Sequence, residues 1–261
     1  MTYKRSMYYD GYNIADEEEK RSFLMKLRMV YRREGLFVLL KKILIFTIFR
    51  IDYYLFAIDY AIFNRYFIVG NKKIQYFINI YNAVQNERVI EIPFAKEYLF
   101  KSENKDVLKI GNVLSHYFNV HHTIVDKYEK TPGVIDIDIL DFNSDEKYDL
   151  IISISTIEHI GFDEPIKENG KSEKAMLKII ELLNNKGTAL ITVPLGYNPE
   201  IDSILKNNLI NFTERHFLKR VSKWNLWKET TLEDALKYKY GSKGLTYPTA
   251  NSVAFLLYKK E

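Results

Sequence analysis

The chain has 261 residues, 47% of them hydrophobic and 28% charged, and its 38 Lys and Arg against 34 Asp and Glu leave a net charge of +4. That composition describes a globular chain with a sizeable core, and its basic residues are too scattered to form the footprint that nucleic-acid binding needs. The absence of cysteine excludes disulfides, thiolate metal sites and a cysteine nucleophile.

The opening MTYKRSMYYDGYNIADEEEK lacks the apolar centre of a signal peptide, so a cytoplasmic chain is expected. Residues 1–84 read as a helical extension. A helix is predicted over 15–33, acidic at its front and basic at its back, and stopped by Gly35. Aromatic-rich helices follow over 36–50 and 52–68, ending near Gly70, and KKIQYFINIYNAV predicts another over 72–84. Lys41, Lys42, Arg50, Asp52 and Asp59 interrupt the apolar stretch 35–64, which leaves no window of ~18 apolar residues for a spanning helix. Three readings of 35–68 stay open: peripheral contact with a membrane, a cap over an acceptor pocket, or plain packing against a sheet.

From residue 85 to 261 strands alternate with helices. Strands are predicted at VLKIG (107–111), HTIVDK (122–127), GVIDIDI (133–139), YDLIISIS (148–155), GTALITVP (187–194) and SVAFLLYKK (252–260), with a seventh inside 220–230. Helices are predicted at 93–100, 172–185 and 199–208, with a short turn near 112–119. Short β-branched runs with little alternation are the mark of strands covered on both faces. The expected fold is therefore α/β: a doubly wound, mostly parallel seven-stranded sheet behind an N-terminal helical extension.

In such a sheet ligands bind beyond the carboxyl ends of the strands. The residues there are Gly111-Asn112, Asp126, Asp138 with Asp141, Ser153 through Thr156 followed by Glu158-His159, and Pro194 through Tyr197. Gly111 permits a tight turn, and an acid at 126 can accept both hydroxyls of a ribose. The five histidines show no metal spacing: His121 and His122 are adjacent and face opposite ways in an extended segment.

Five of these segments, in this order, resemble the class I S-adenosylmethionine-dependent methyltransferase family: VLKIG, IVDKYEK, IDIDILDF, YDLIISISTIEHIG and LNNKGTALITVPLG. The likeness spans about residues 88–261 and implies the Rossmann-like fold of that family with S-adenosylmethionine as cofactor. Carried over position by position, it sets Gly111, Asn112 and Ser115 beside the methionine part of the cofactor. Asp126 would hold the ribose hydroxyls with Lys127 beside it, and Asp138 and Ile139 would flank the adenine. Ser153 and Ile154 would form the floor under the sulfonium. Glu158 and His159 would stand at the acceptor as base or proton relay, or else cap and pack a helix start, with Asp163 and Glu164 in the next loop. Gly196 and Tyr197 would meet the substrate, where an aromatic suits a sugar ring. The implied activity is methyl transfer to a small molecule or glycan, as O-methylation.

Lys109 stands where that family has an acid, and Val113 and Ser115 where it has two further glycines. Val113 would block the close approach of a pyrophosphate, which argues against a dinucleotide. The same three residues support the alternative of a methyltransferase-like scaffold that has lost its cofactor. Arg88 and Glu91 either fold over the cofactor or form an ion pair at a helix start.

Overall fold

The computed structural model describes residues 23–79, 86–102, 105–119, 122–241 and 249–261. The expectations for 15–22, for 80–84 and for His121 lie outside these residues.

Helix α1 (Phe23–Phe63) turns at Gly35, whose φ of 85° and ψ of 172° break the helix in two where the sequence predicts a stop. A hairpin follows, β1 (Tyr66–Val69) and β2 (Lys72–Gln75). It replaces the helix expected from residue 72. The Gly70-Asn71 turn, with Gly70 at φ 57°, reverses the chain, and alternation then buries Phe67, Val69 and Ile74. The helix α2 (Arg88–Leu99) starts five residues before the expected boundary and carries Pro93 inside it. Proline cannot donate to Val89, and the Val89 carbonyl accepts from Phe77 N–H at 3.0 Å instead.

The main sheet comprises β3 (Val107–Ile110), β4 (Thr123–Val125), β5 (Tyr148–Ile154), β6 (Leu183–Pro194), β7 (Glu214–Arg220), β8 (Trp227–Thr230) and β9 (Ser252–Lys259). Its spatial order is β4-β3-β5-β6-β9-β7-β8. The strands β4, β3, β5 and β6 pair in parallel, and β9 is antiparallel to both β6 and β7. The helices α3 (Lys171–Glu181), α4 (Pro199–Lys206) and the short α5 (Leu232–Ala235) complete the domain. The result is a doubly wound, mostly parallel, Rossmann-like α/β fold.

Two expectations about strands need correction. Segment 133–139 is not a strand: only Ile135 bridges Val125 in parallel. Its alternation of Ile and Asp imitates a strand, but Asp138 folds the chain into a turn. Asp138 Oδ1 accepts from Leu140 N–H, and its carbonyl accepts from Asp141 and Phe142. The seventh strand is instead β7, whose sequence ERHFLKR has only Phe217 and Leu218 buried. The strand expected inside 220–230 is present as β8.

Alternation sorts the core onto the two faces of the sheet. Ile151, Ile191 and Leu256 meet Met176 and Ile179 of α3 and Ile204 of α4. Ile152, Leu190 and Phe255 meet Ile90 and Phe94 of α2 together with Phe67 and Val69 of the hairpin. The hairpin and Tyr60 of α1 thus share one apolar layer with the sheet. Tyr60 also donates to the carbonyl of Trp224 at 3.1 Å, while Phe56 meets the Trp224 ring edge-on at 5.3 Å.

Candidate functional site

Chain order reverses between β3 and β5. The connection from β3 runs to β4 on one side, and that from β5 runs to β6 on the other. A cleft opens there, at the carboxyl ends of β3, β4 and β5. Gly111, Asp126, Lys127, Asp138, Ile139 and His159 line it. Its aliphatic walls come from Ile110, Val125, Ile137, Ile139 and Ile160. Ile110 and Val125 are strand ends, so the hydrogen bonds of the sheet fix their positions.

Gly111 turns the chain at φ 83° and donates to Val125 O at 2.9 Å. A Cβ on Gly111 would lie 2.2 Å from Thr156 Oγ1, so glycine lets the β3 turn close against the β5 turn. Asp126 follows β4. Its Oδ2 accepts from Asn112 N–H at 3.2 Å, and its Oδ1 accepts from Tyr128 N–H at 2.9 Å and Glu129 N–H at 3.1 Å. Three backbone donors therefore fix this carboxylate at the cleft wall. Asn112 Nδ2 donates to Glu129 at 2.5 Å, which leaves the buried Asn112 Oδ1 without a donor.

One end of the cleft carries four interlocked charges. Lys127 Nζ lies 2.9 Å from Asp138 and 3.1 Å from Glu164; Lys171 Nζ lies 2.8 Å from both. Burial works to raise the Asp138 and Glu164 carboxyls, but hydrogen bonds from Lys171 and Lys127 outweigh it and hold both below the ordinary range. Lys171, the first residue of α3, is a member that sequence reasoning missed. Nothing in a helix-start lysine signals that it turns inward to the turn acid Asp138 and the loop acid Glu164.

A second polar chain starts from His159 on the cleft wall. His159 Nδ1 bonds Asp163 Oδ2, which also accepts from the Tyr197 hydroxyl at 2.5 Å. The Tyr197 ring meets His159 edge-on at 5.3 Å and Tyr240 at 4.6 Å. Burial tends to raise the Asp163 carboxyl, but the bonds from Tyr197 and His159 hold it low. Glu158 is 1% exposed, and its Oε1 lies 3.6 Å from His159 Nε2. Its Oε2 is buried without a hydrogen-bond partner, and burial pushes the carboxyl well above its usual range. Asn198 fixes this segment by donating to the Glu158 carbonyl at 2.8 Å.

The remaining predicted residues lie off the cleft. Ser115 is buried and accepts from Lys109 Nζ at 2.8 Å. Ser153 and Ile154 are buried within β5, and Ile154 belongs to the apolar layer over α2. Gly196 follows β6 at φ 71° and donates to Asp202 Oδ1 at 3.1 Å. Arg88 and Glu91 form an ion pair of 2.8 Å. Glu91 also accepts from Ser155 and Thr192, which pins α2 across the ends of β5 and β6.

No family model and no curated protein matches the sequence. Solved structures resemble it in fold. An N-methyltransferase, NodS from Bradyrhizobium japonicum WM9 in complex with S-adenosyl-L-homocysteine, is 12% identical over 67% of this chain and 91% of that one, with a TM-score of 0.39. An S-adenosylmethionine-dependent methyltransferase from Clostridium acetobutylicum is 12% identical over 66% and 91%, with a TM-score of 0.35. An rRNA methylase from Streptococcus thermophilus is 13% identical over 66% and 97%, with a TM-score of 0.38.

Proposed function

We propose that this protein transfers a methyl group from S-adenosylmethionine to a small molecule, and that the acceptor group is a hydroxyl of a saccharide-type compound. One observation carries the reading: a single cleft at the switch point gathers Gly111, the fixed strand-end acid Asp126 and an aliphatic wall, with His159 also lining it. These residues fit the cofactor. Ile137, Ile139 and Ile160 supply apolar surface for a flat purine, and the outward capacity of Asp126 suits ribose hydroxyls. The undonated Asn112 Oδ1 suits the ammonium of a methionine tail.

Bound S-adenosylmethionine would supply an activated methyl carbon, so the protein has chiefly to align the acceptor and exclude water. A hydroxyl acceptor must also lose a proton. With its Nδ1–H donating to Asp163, His159 offers Nε2 as the receiving atom. Tyr197 holds Asp163 from the other side, and its ring, with that of Tyr240, makes an aromatic wall for a sugar face. Glu158, driven toward its neutral form, keeps a second full negative charge away from that nitrogen.

Thermal unfolding tests the cofactor step. S-adenosylhomocysteine at 100 times its dissociation constant should stabilise the fold by about 2.7 kcal/mol. Unchanged melting with both S-adenosylhomocysteine and S-adenosylmethionine would contradict the reading and favour a scaffold without cofactor.

A further inference from the structure

Helix α1 beyond Gly35 has two distinct faces. Tyr53, Phe56 and Tyr60, spaced three and four apart, turn toward the domain and are buried. On the opposite face Leu36, Leu40, Leu44, Ile51, Ile58 and Ile62 are between 53% and 68% exposed. At 100° per residue these six fall within one stripe, and at 1.5 Å per residue the stripe is about 39 Å long. Thr47 falls within it, but its hydroxyl is satisfied by the Ile43 carbonyl at 2.9 Å. A continuous apolar stripe of this length on an otherwise folded chain marks a contact surface.

Charge selects the occupant. Helix α1 holds seven Lys and Arg against three Asp and Glu, a surplus of four; the rest of the chain balances at 31 of each. Three of the four lie before Gly35, among Lys26, Arg28, Arg32 and Arg33, and the segment that bears the stripe carries the fourth, with Lys41, Lys42 and Arg50 against Asp52 and Asp59. Lys41 and Arg50 fall on opposite edges of the stripe by the same helical geometry. A surface of anionic lipid would neutralise them together with the four cations before Gly35. No described helix is long and apolar enough to cross a membrane. We infer that α1 lies in the plane of an anionic membrane surface, with its apolar stripe among the acyl chains, its lysines and arginines at the phosphates and the sheet domain held on the water side. This inference stands apart from the reading of the cleft.

Vesicle flotation of the full chain tests it, with phosphatidylcholine vesicles prepared with and without phosphatidylglycerol. The wild type should float with the anionic vesicles, and added salt should weaken binding. The L40E/L44E variant should bind at least about tenfold more weakly, and K41E about tenfold more weakly on the anionic vesicles alone. All three proteins should melt alike, because the altered side chains are exposed. Three outcomes would overturn the inference. One is no flotation of the wild type with anionic vesicles. Another is undiminished flotation of L40E/L44E. The third is a dimer by sedimentation equilibrium that L40E/L44E dissociates while the wild type ignores vesicles, which would make the stripe a subunit interface.

Discussion

Lys109 lies in the middle of β3, only 1% exposed, and donates to Ser115 Oγ at 2.8 Å. Burial alone lowers its pKa from the ordinary 10.5 to about 7, with no ionised partner to offset the loss of water. Between about pH 7 and 10.5 the unfolded chain holds a proton on this lysine that the folded chain does not. Stability should therefore rise with pH across that window and receive no pH dependence from Lys109 below it. At pH 7 the change corresponds to about 5 kcal/mol in favour of the unfolded chain. Replacing Lys109 by Met keeps the chain length and removes the charge. It gives up a hydrogen bond worth about 1 kcal/mol and leaves the Ser115 hydroxyl without its donor at about 1 kcal/mol more. A gain of about 3 kcal/mol remains, or about 6–12 °C in melting temperature. Urea unfolding of both proteins at pH 7 and pH 10 measures it, and the gap should shrink at the higher pH. Loss of stability in K109M, or a gap independent of pH, would refute the reasoning.

Three further outcomes follow from the cleft. Gly111→Ala combines a left-handed φ of 83° with a contact of 2.2 Å to Thr156. It should cost about 3 kcal/mol in chemical unfolding, partly recovered by Thr156→Ala. Lys171→Met leaves Asp138 and Glu164 with one cation in place of two and should cost about 3 kcal/mol at pH 7. The Asp138 and Glu164 contribution exists above their unfolded pKa values and is lost as pH falls through the depressed folded ones. The K171M deficit should accordingly fade in strong acid, as acid titrations of both proteins would reveal. His159→Asn should lower methyl transfer to a hydroxyl acceptor about a hundredfold while leaving S-adenosylhomocysteine affinity within about threefold. Equal losses in both would place His159 in cofactor binding instead.

Much of this architecture was legible because buried parallel strands announce themselves. The runs that became β3, β5, β6 and β9 are short, β-branched and apolar, and their ends located Gly111, Asp126 and His159 on one side of the sheet. Alternation misled where polar residues had local work: GVIDIDI has the rhythm of a strand, but Asp138 serves a turn and two lysines. The opposite error hid β7, whose charged residues gave ERHFLKR no strand rhythm. KKIQYFINIYNAV has the apolar spacing of a helix, but the Gly70-Asn71 turn pairs its first residues as β2. Long-range partners left no local trace. The inward turn of Lys171 and the link from Glu91 to Ser155 and Thr192 depend on elements far apart in sequence.

The central claim is that the switch-point cleft binds S-adenosylmethionine through Asp126. Isothermal titration calorimetry with S-adenosylhomocysteine tests it most directly, on the wild type and on Asp126→Asn, which keeps one backbone-accepting oxygen but removes the charge. The account predicts one site per chain in the wild type and at least about tenfold weaker binding in D126N. Absence of binding in the wild type, or equal affinity in the two proteins, would contradict it.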